Sequence, residues 1–214
     1  MSDEDIDGEE DTMTMTQQHR ERQQASWRDR RGTIAAGVVI VLLAVVAAVW
    51  VAIRHHREVG SAPYTDPASA GAITLCRGGR PITSGSTVDQ PFATVAVGGQ
   101  AAAGGYASNG TATVFAYQPR QGVGPESWSG LQLGPASQVT DPKAPAAVLV
   151  KADTTLAQFV NAYPAQDGGW IQLRLILGAA GQAPQTASYA TLDLHIDGTT
   201  WTAVGAGTAA CPSS

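Results

Sequence analysis

The feature that most constrains this chain is an apolar stretch from Thr33 to Ile53, TIAAGVVIVLLAVVAAVWVAI. Its 21 residues include no charge, amide or proline. As a helix rising about 1.5 Å per residue, the stretch would extend roughly 31 Å. That length matches a bilayer hydrocarbon core about 30 Å thick. A buried core helix is usually shorter and has a polar face, so we predict a transmembrane helix over residues 33–53.

Positive charges flank this stretch unequally. Five arginines precede it within residues 20–31, whereas only Arg54 and Arg57 follow it closely. Cytoplasmic flanks of membrane helices are enriched in Lys and Arg. We therefore predict a signal-anchored protein of the cell membrane that crosses once, with its N-terminus cytoplasmic and its C-terminal part extracytoplasmic.

Two kinds of cleaved or exported leader are alternatives to the anchor. Ala47 and Ala48 could serve a signal peptidase, although the apolar stretch is longer than the 7–15 residues or so of a cleavable signal. The pair Arg30 and Arg31 fits a twin-arginine signal, but Gly32 follows where such signals soon become apolar.

The charges divide the chain into segments. Residues 1–32 hold nine acidic and five basic side chains with little that is apolar, so we predict a disordered cytoplasmic tail whose partner is unknown. Residues 54–71, rich in Pro, Ser, Ala and Gly, predict a juxtamembrane linker. Residues 72–214 form the predicted extracytoplasmic domain. The net charge of −5 is opposite to that of a nucleic-acid binder.

Cys76 and Cys211 are the two cysteines of the chain, and both follow the predicted span. In an extracytoplasmic compartment such a pair most simply forms a disulfide. The alternatives are two free thiols or a reactive cysteine, but no histidine lies near either one in sequence. We predict a Cys76–Cys211 bond that joins the two ends of one domain.

Short strands separated by turn residues dominate the chain after residue 72. The clearest is 170–177, WIQLRLIL, which alternates between two faces, and Asp197-Gly198 joins two further alternating segments as a hairpin. In the first arm of that hairpin, the alternation predicts that the face with Tyr189, Thr191, Asp193 and His195 meets water. The other predicted strands span residues 72–76, 92–97, 111–118, 127–133 and 146–152.

One segment follows a helical period instead. In residues 153–164, DTTLAQFVNAYP, the apolar side chains recur at i, i+3, i+4 and i+7, a threonine or Asp153 can cap the start, and Pro164 ends it. The whole pattern predicts a mainly β fold, a two-sheet antiparallel, immunoglobulin-like sandwich with one short helix.

Residues that would support catalysis or bind a metal or cofactor are scarce in this domain. No His–Cys cluster fits zinc, and the sequence around Ser127 lacks the glycine of a nucleophile elbow. We therefore predict no cofactor, no metal and no catalytic residue. Tyr106 and Trp128, two aromatics at or near loops, are the candidate ligand-binding residues, since loop aromatics can stack on sugars or peptides. Packing against the core is the alternative role for them.

We expect a non-catalytic binding or scaffold module of a bacterial cell envelope, with an envelope protein or a cell-wall glycan as its partner. One alternative is an envelope hydrolase whose acid–base residues converge only in space, with Glu126, Asp167, Asp193 and His195 as candidates. Another is an adaptor that links a cytoplasmic partner, through the acidic tail, to an outer sensing domain.

Overall fold

A computed structural model describes residues 60–149 and 154–213. Within these residues no helix is long and apolar enough to cross a bilayer. The predicted span at 33–53 and the predicted cytoplasmic tail at 1–32 lie outside the described residues.

The described part of the chain is mainly β, as predicted. Its strands are β1 (Ser69–Arg77), β2 (Arg80–Pro81), β3 (Ser84–Ser86), β4 (Val95–Gly98), β5 (Gly110–Gln118), β6 (Ser129–Gln132), β7 (Ser137–Gln138), β8 (Ala146–Val148), β9 (Trp170–Ala179), β10 (Tyr189–Asp197) and β11 (Thr200–Val204). Helical segments span Gly105–Asn109 and Leu156–Ala162, and Pro125–Ser127 forms a single 3₁₀ turn.

The strands form one hydrogen-bonded path in the order β6-β5-β9-β10-β1-β4-β8. β1 divides the path because it pairs with β10 through Ser69 and Ala72 and then with β4 through Ile73–Cys76. The β1–β10 pairing is parallel, whereas every other strand pair in the described residues is antiparallel. The prediction of an entirely antiparallel arrangement was therefore wrong at this one pair.

A single core contains residues from both halves of this path. Ile73 and Leu75 of β1 belong to the same buried cluster as Leu173 of β9 and Leu192 of β10. β9 lies at the centre of the larger half, between β5 and β10, and all its residues from Trp170 to Leu177 are buried. Both faces of β9 are thus removed from water. A polar side chain on the face opposite the core therefore needs a hydrogen-bond partner within the protein.

Two predicted local structures appear close to where the sequence placed them. The helix Leu156–Ala162 begins after Thr155, whose hydroxyl accepts from the Gln158 backbone N–H while the Gln158 side chain accepts from the Thr155 backbone N–H. The hairpin of β10 and β11 is also confirmed, but its turn is shifted by one residue. Asp197 pairs with Thr200, so Gly198, with φ 59°, and Thr199 are the central residues.

The predicted disulfide is present. Cys76 in β1 bonds to Cys211, with a Cα–Cα distance of 5.8 Å. The segment before Cys211 lies along β1, since the Gly207 N–H donates to the Ile73 carbonyl and the Ala209 N–H donates to Thr74 Oγ1. The bond therefore fixes the C-terminal segment against the first strand of the domain.

Candidate functional site

Arg174 of β9 is the centre of the candidate site. It alternates with the core residues Leu173 and Leu175, which places it on the opposite face of the sheet. Its side chain is nevertheless only 4% exposed. A buried guanidinium is costly unless its N–H groups are hydrogen-bonded, and three oxygens close to it supply that bonding.

Three oxygens surround the Arg174 guanidinium. Nε donates to Gln172 Oε1 at 2.7 Å, and Nη2 donates to the Pro125 carbonyl at 3.1 Å. Nη2 also lies 3.2 Å from Oδ2 of Asp66, whose side chain is 2% exposed. Two of these partners belong to β9 and to the 3₁₀ turn, whereas the carboxylate comes from the segment before β1.

Aromatic rings flank the same guanidinium. Its carbon lies 4.1 Å from the centroid of Tyr117, 4.9 Å from that of Tyr189 and 5.1 Å from that of Trp128. These distances are within the range of cation–π attraction. The rings come from β5, β10 and the loop after the 3₁₀ turn, so tertiary structure assembles them around β9.

Gly130 in β6 allows Tyr117 to take this position. The two residues are partners in the β5–β6 register. A Cβ built on Gly130 would lie 2.6 Å from both Cδ1 and Cε1 of Tyr117. Only glycine leaves room for the ring here, so Gly130 positions Tyr117 against Arg174.

Residues 63–68, which we call the strap, cover this arrangement. Asp66 accepts a hydrogen bond from the Tyr189 hydroxyl at 3.0 Å in addition to pairing with Arg174. Two residues earlier, the Tyr64 hydroxyl donates to Asp193 Oδ1 at 2.7 Å, and its ring meets Trp128 edge-on with centroids 4.9 Å apart. The strap thus inserts one aromatic and one carboxylate side chain between the domain's own residues.

Burial dominates the electrostatics of the groups beneath the strap. It raises the pKa of the Asp193 carboxyl, against the opposing effect of hydrogen bonds from Tyr64 and Gln172. Burial, together with the charge of Asp193, also raises the pKa of Tyr64 well above its usual range. Burial raises the pKa of Tyr189 as well. Both tyrosines are therefore hydrogen-bond donors at any physiological pH.

Two cavities formed by the described residues adjoin the strap. The first, of about 470 Å³, is lined by Tyr64, Arg120, Trp128 and Asp167 among others. The second, of about 450 Å³, is lined by residues that include Asp66, Tyr117, Glu126, Arg174 and Tyr189. Pro125 borders both.

Arg120 contributes a positive charge to the lining of the first cavity. Its Nη2 donates to the Ser127 carbonyl at 2.7 Å, whereas its buried Nε has no hydrogen-bond partner within the described residues. Asp167 contributes a carboxylate from a turn in which its φ is 51°. Aromatic faces, a cation and an anion therefore line one concave surface, which suits a ligand with polar groups on a flat or extended framework.

The structure separates the two aromatics predicted from the sequence. Trp128 lines the first cavity, is 5% exposed and donates from Nε1 to the Val123 carbonyl at 2.9 Å. Tyr106 lines neither cavity adjoining the strap; it packs on the core and donates to the Ala183 carbonyl at 2.7 Å. Trp128 is therefore buried and also lines a cavity, and its role in ligand binding stays a prediction.

The four residues of the hydrolase hypothesis occupy different places. Asp167 lines the first cavity and Glu126 the second. Asp193 is bonded to Tyr64, and His195 Nε2 lies 2.9 Å from the Gly168 carbonyl oxygen. Neither cavity brings two of the four together. Within the described residues no group of three or more His, Cys, Asp or Glu could hold a metal ion.

Sequence reasoning missed the centre of this site. The prediction that Tyr189 and Thr191 face water was wrong, because both are buried. Asp66 and Tyr64 fall in the range predicted as a linker. One signal was available: an arginine inside the buried run WIQLRLIL needs a buried acceptor.

Comparison of the chain with protein-family models, curated proteins and solved structures finds no match. The function of the chain must therefore be inferred from its residues and their geometry.

Proposed function

We propose that this chain is a signal-anchored, single-pass membrane protein whose extracytoplasmic domain, an immunoglobulin-like β-sandwich, is a non-catalytic binding module of the cell envelope. Its ligand site is the first cavity, and its partner is an envelope protein or a cell-wall glycan. The observation that carries the proposal is the pairing of the aromatic walls Tyr64 and Trp128 with the guanidinium-bearing side chain of Arg120 around one cavity.

The surroundings of the cavity favour binding. Trp128 and Tyr64 are held in an edge-to-face pair at 4.9 Å, and hydrogen bonds from both side chains fix them further. Rigid aromatic surfaces of this kind contribute contact area at low cost in conformational entropy. Arg120 lines the same cavity, and its guanidinium is a charged donor suited to a ligand carbonyl, hydroxyl or carboxylate.

The extracytoplasmic location of the domain is supported by two independent features. The apolar stretch at 33–53 with its arginine-rich flank predicts export of the C-terminal part. The Cys76–Cys211 disulfide suits an oxidising compartment.

Site-specific photocrosslinking of the full-length chain in intact producing cells tests the proposal. A photoreactive residue replaces either Gln121, an exposed residue of the cavity wall, or Val88, which is 59% exposed and lines neither cavity adjoining the strap. We expect adducts from position 121 and not from position 88. Combining the position 121 probe with Arg120→Ala should abolish them.

Equal adducts from both positions, or adducts at 121 that persist in the Arg120→Ala chain, would reject the first cavity as the ligand site. The chemistry of the adduct separates the two partner classes, because a protein partner yields peptides on digestion with a protease and a glycan yields sugars on digestion with muramidase.

A further inference from the structure

The strap divides one longer cleft into the two cavities. Residues 63–65 line the first cavity and residues 66–68 line the second, and Pro125 borders both from the opposite side. Lifting the strap would join the cavities and expose Arg174, Tyr189 and Asp193 along a continuous surface.

Two side chains hold the strap in place. Pro63, Thr65 and Pro67 are exposed, whereas Tyr64 and Asp66 bond to the domain. Within the described residues, no backbone hydrogen bond joins residues 60–67 to β5, β9 or β10; the first such bond runs from the Tyr189 N–H to the Ala68 carbonyl. The side chains of Tyr64 and Asp66 therefore attach the strap to the domain, in the way that anchor side chains attach a bound peptide to its receptor.

The site beneath the strap is assembled without it. Arg174 is oriented by Gln172 and the Pro125 carbonyl, and the rings of Tyr117 and Tyr189 lie against its guanidinium. None of these partners belongs to the strap. An arginine fixed in this way, with a tyrosine hydroxyl beside it, is a preformed site for a carboxylate.

We infer that the strap is an intramolecular pseudo-ligand. Asp66 occupies a carboxylate site on Arg174 and Tyr189, and Tyr64 occupies an aromatic site between Trp128 and Asp193. The ligand that displaces them is a protein segment with the same chemistry, a tyrosine two residues before an aspartate. This inference rests on the proposed function and identifies the partner of the cleft as a protein.

The attachment of the strap to the chain explains why the site is filled at rest. A short tether gives a bound segment an effective concentration in the millimolar range. A free segment with the same contacts must compete with that concentration, so its affinity for the intact chain is low. Loss of either anchor removes the competitor and leaves the site open.

Peptide binding to the full-length chain in lipid nanodiscs tests this inference. The probe is a fluorescent peptide with the sequence of residues 61–69, SAPYTDPAS. We expect it to bind the Asp66→Ala chain at least tenfold more tightly than the wild-type chain. The same peptide with alanine in place of its aspartate should bind neither.

The exposed ion pair between Arg77 and Asp89 supplies the matched control. Its atoms are 3.0 Å apart, but its side chains are 40% and 39% exposed. The Asp89→Ala chain should bind the peptide no better than wild type. In the wild-type chain, saturating peptide should accelerate hydrogen exchange at the Ala68 and Ser69 amides, both of which donate to Asp66.

A folded Asp66→Ala chain that binds the peptide no better than wild type would overturn the inference. If that variant does not fold, Tyr64→Ala carries the same test, because it removes the other anchor of the strap and keeps the charges of both Arg174 and Asp66 in the chain. The bound fluorescent peptide can also be challenged with soluble peptidoglycan fragments and with Tyr-x-Asp segments of other proteins. Displacement by the fragments alone would overturn the inference in favour of a glycan.

The two proposals fail separately. If peptide binding fails while crosslinking from position 121 still depends on Arg120, the domain is a binding module and the strap is structural. If positions 121 and 88 give equal adducts but the peptide binds as expected, the site beneath the strap is supported. The first cavity is then rejected as the place where the partner binds.

Discussion

Asp66 and Arg174 form an ion pair that is removed from water on both sides, with Oδ2 and Nη2 3.2 Å apart and side-chain exposures of 2% and 4%. The pair joins the segment before β1 to the central strand β9. It therefore fixes the first residues of the domain against the middle of its sheet.

Breaking this pair from one side should be strongly destabilising. Asp66→Ala removes the carboxylate partner of Arg174, and removing one partner of a buried ion pair typically costs about 3–5 kcal/mol, with a smaller loss where the strap lifts and water reaches the guanidinium. Asp89→Ala, at the exposed pair with Arg77, should cost about 1 kcal/mol or less. Urea denaturation of the oxidised chain measures both free energies of unfolding. Equal losses in the two variants would contradict the distinct role of the buried pair.

Gly130→Ala should disturb the same centre from the neighbouring strand β6, on the same face of the sheet. The new Cβ would lie 2.6 Å from two ring carbons of Tyr117, so the ring must leave its place against Arg174. Overpacking of this kind costs about 1–3 kcal/mol. At Gly60, where a Cβ would meet nothing within 4 Å, alanine should change little. Thermal denaturation of the two variants compares them, and similar melting temperatures would contradict the steric argument.

The sequence predicted the strands well because their signal is local. Alternation in WIQLRLIL and the turn residues around Gly198 identify β9 and the final hairpin without knowledge of their neighbours. β2, β3 and β7, with two or three residues each, carry too little pattern to be recognised.

The candidate site could not be predicted in the same way, because its parts are distant in sequence. Alternation tells which residues share a face of β9, but not whether that face is covered. The cover comes from Tyr64 and Asp66, and the bond from Tyr64 to Asp193 spans 129 residues. The Tyr117 ring, which lies over Arg174, likewise depends on the absence of a side chain at Gly130.

The disulfide should contribute substantially to stability. Its cysteines are 135 residues apart, and closing a loop of that size removes roughly 5 kcal/mol of unfolded-state entropy in the chain-entropy model. The double variant Cys76→Ser, Cys211→Ser should lose about that much, measured by urea denaturation. Chemical reduction of the wild-type chain is the control and should give the same loss. Two alkylatable thiols in the unreduced, unfolded chain would contradict the bond.

The helix Leu156–Ala162 should depend on its capping box. Thr155→Ala removes the acceptor for the Gln158 N–H and should cost about 1 kcal/mol. Thr154→Ala, one residue earlier and outside the box, is the matched control and should change stability by less than about 0.5 kcal/mol. Thermal denaturation compares the two, and a larger loss at Thr154 would show that the helix begins elsewhere.

Asp193 should make the domain less stable as pH rises. Burial raises its pKa in the folded chain, so the folded state binds its proton more tightly than the unfolded state, where the pKa is about 3.9. Stability from this group is complete below that value and is lost as pH rises through the higher folded pKa. The substitution Asp193→Asn introduces an amide that cannot titrate and whose oxygen still accepts from Tyr64. The free energy of unfolding of this variant, relative to wild type, should therefore increase from about pH 4 upward, as urea denaturation at a series of pH values would show. A difference that stays constant or decreases with pH would contradict a raised pKa beneath the strap.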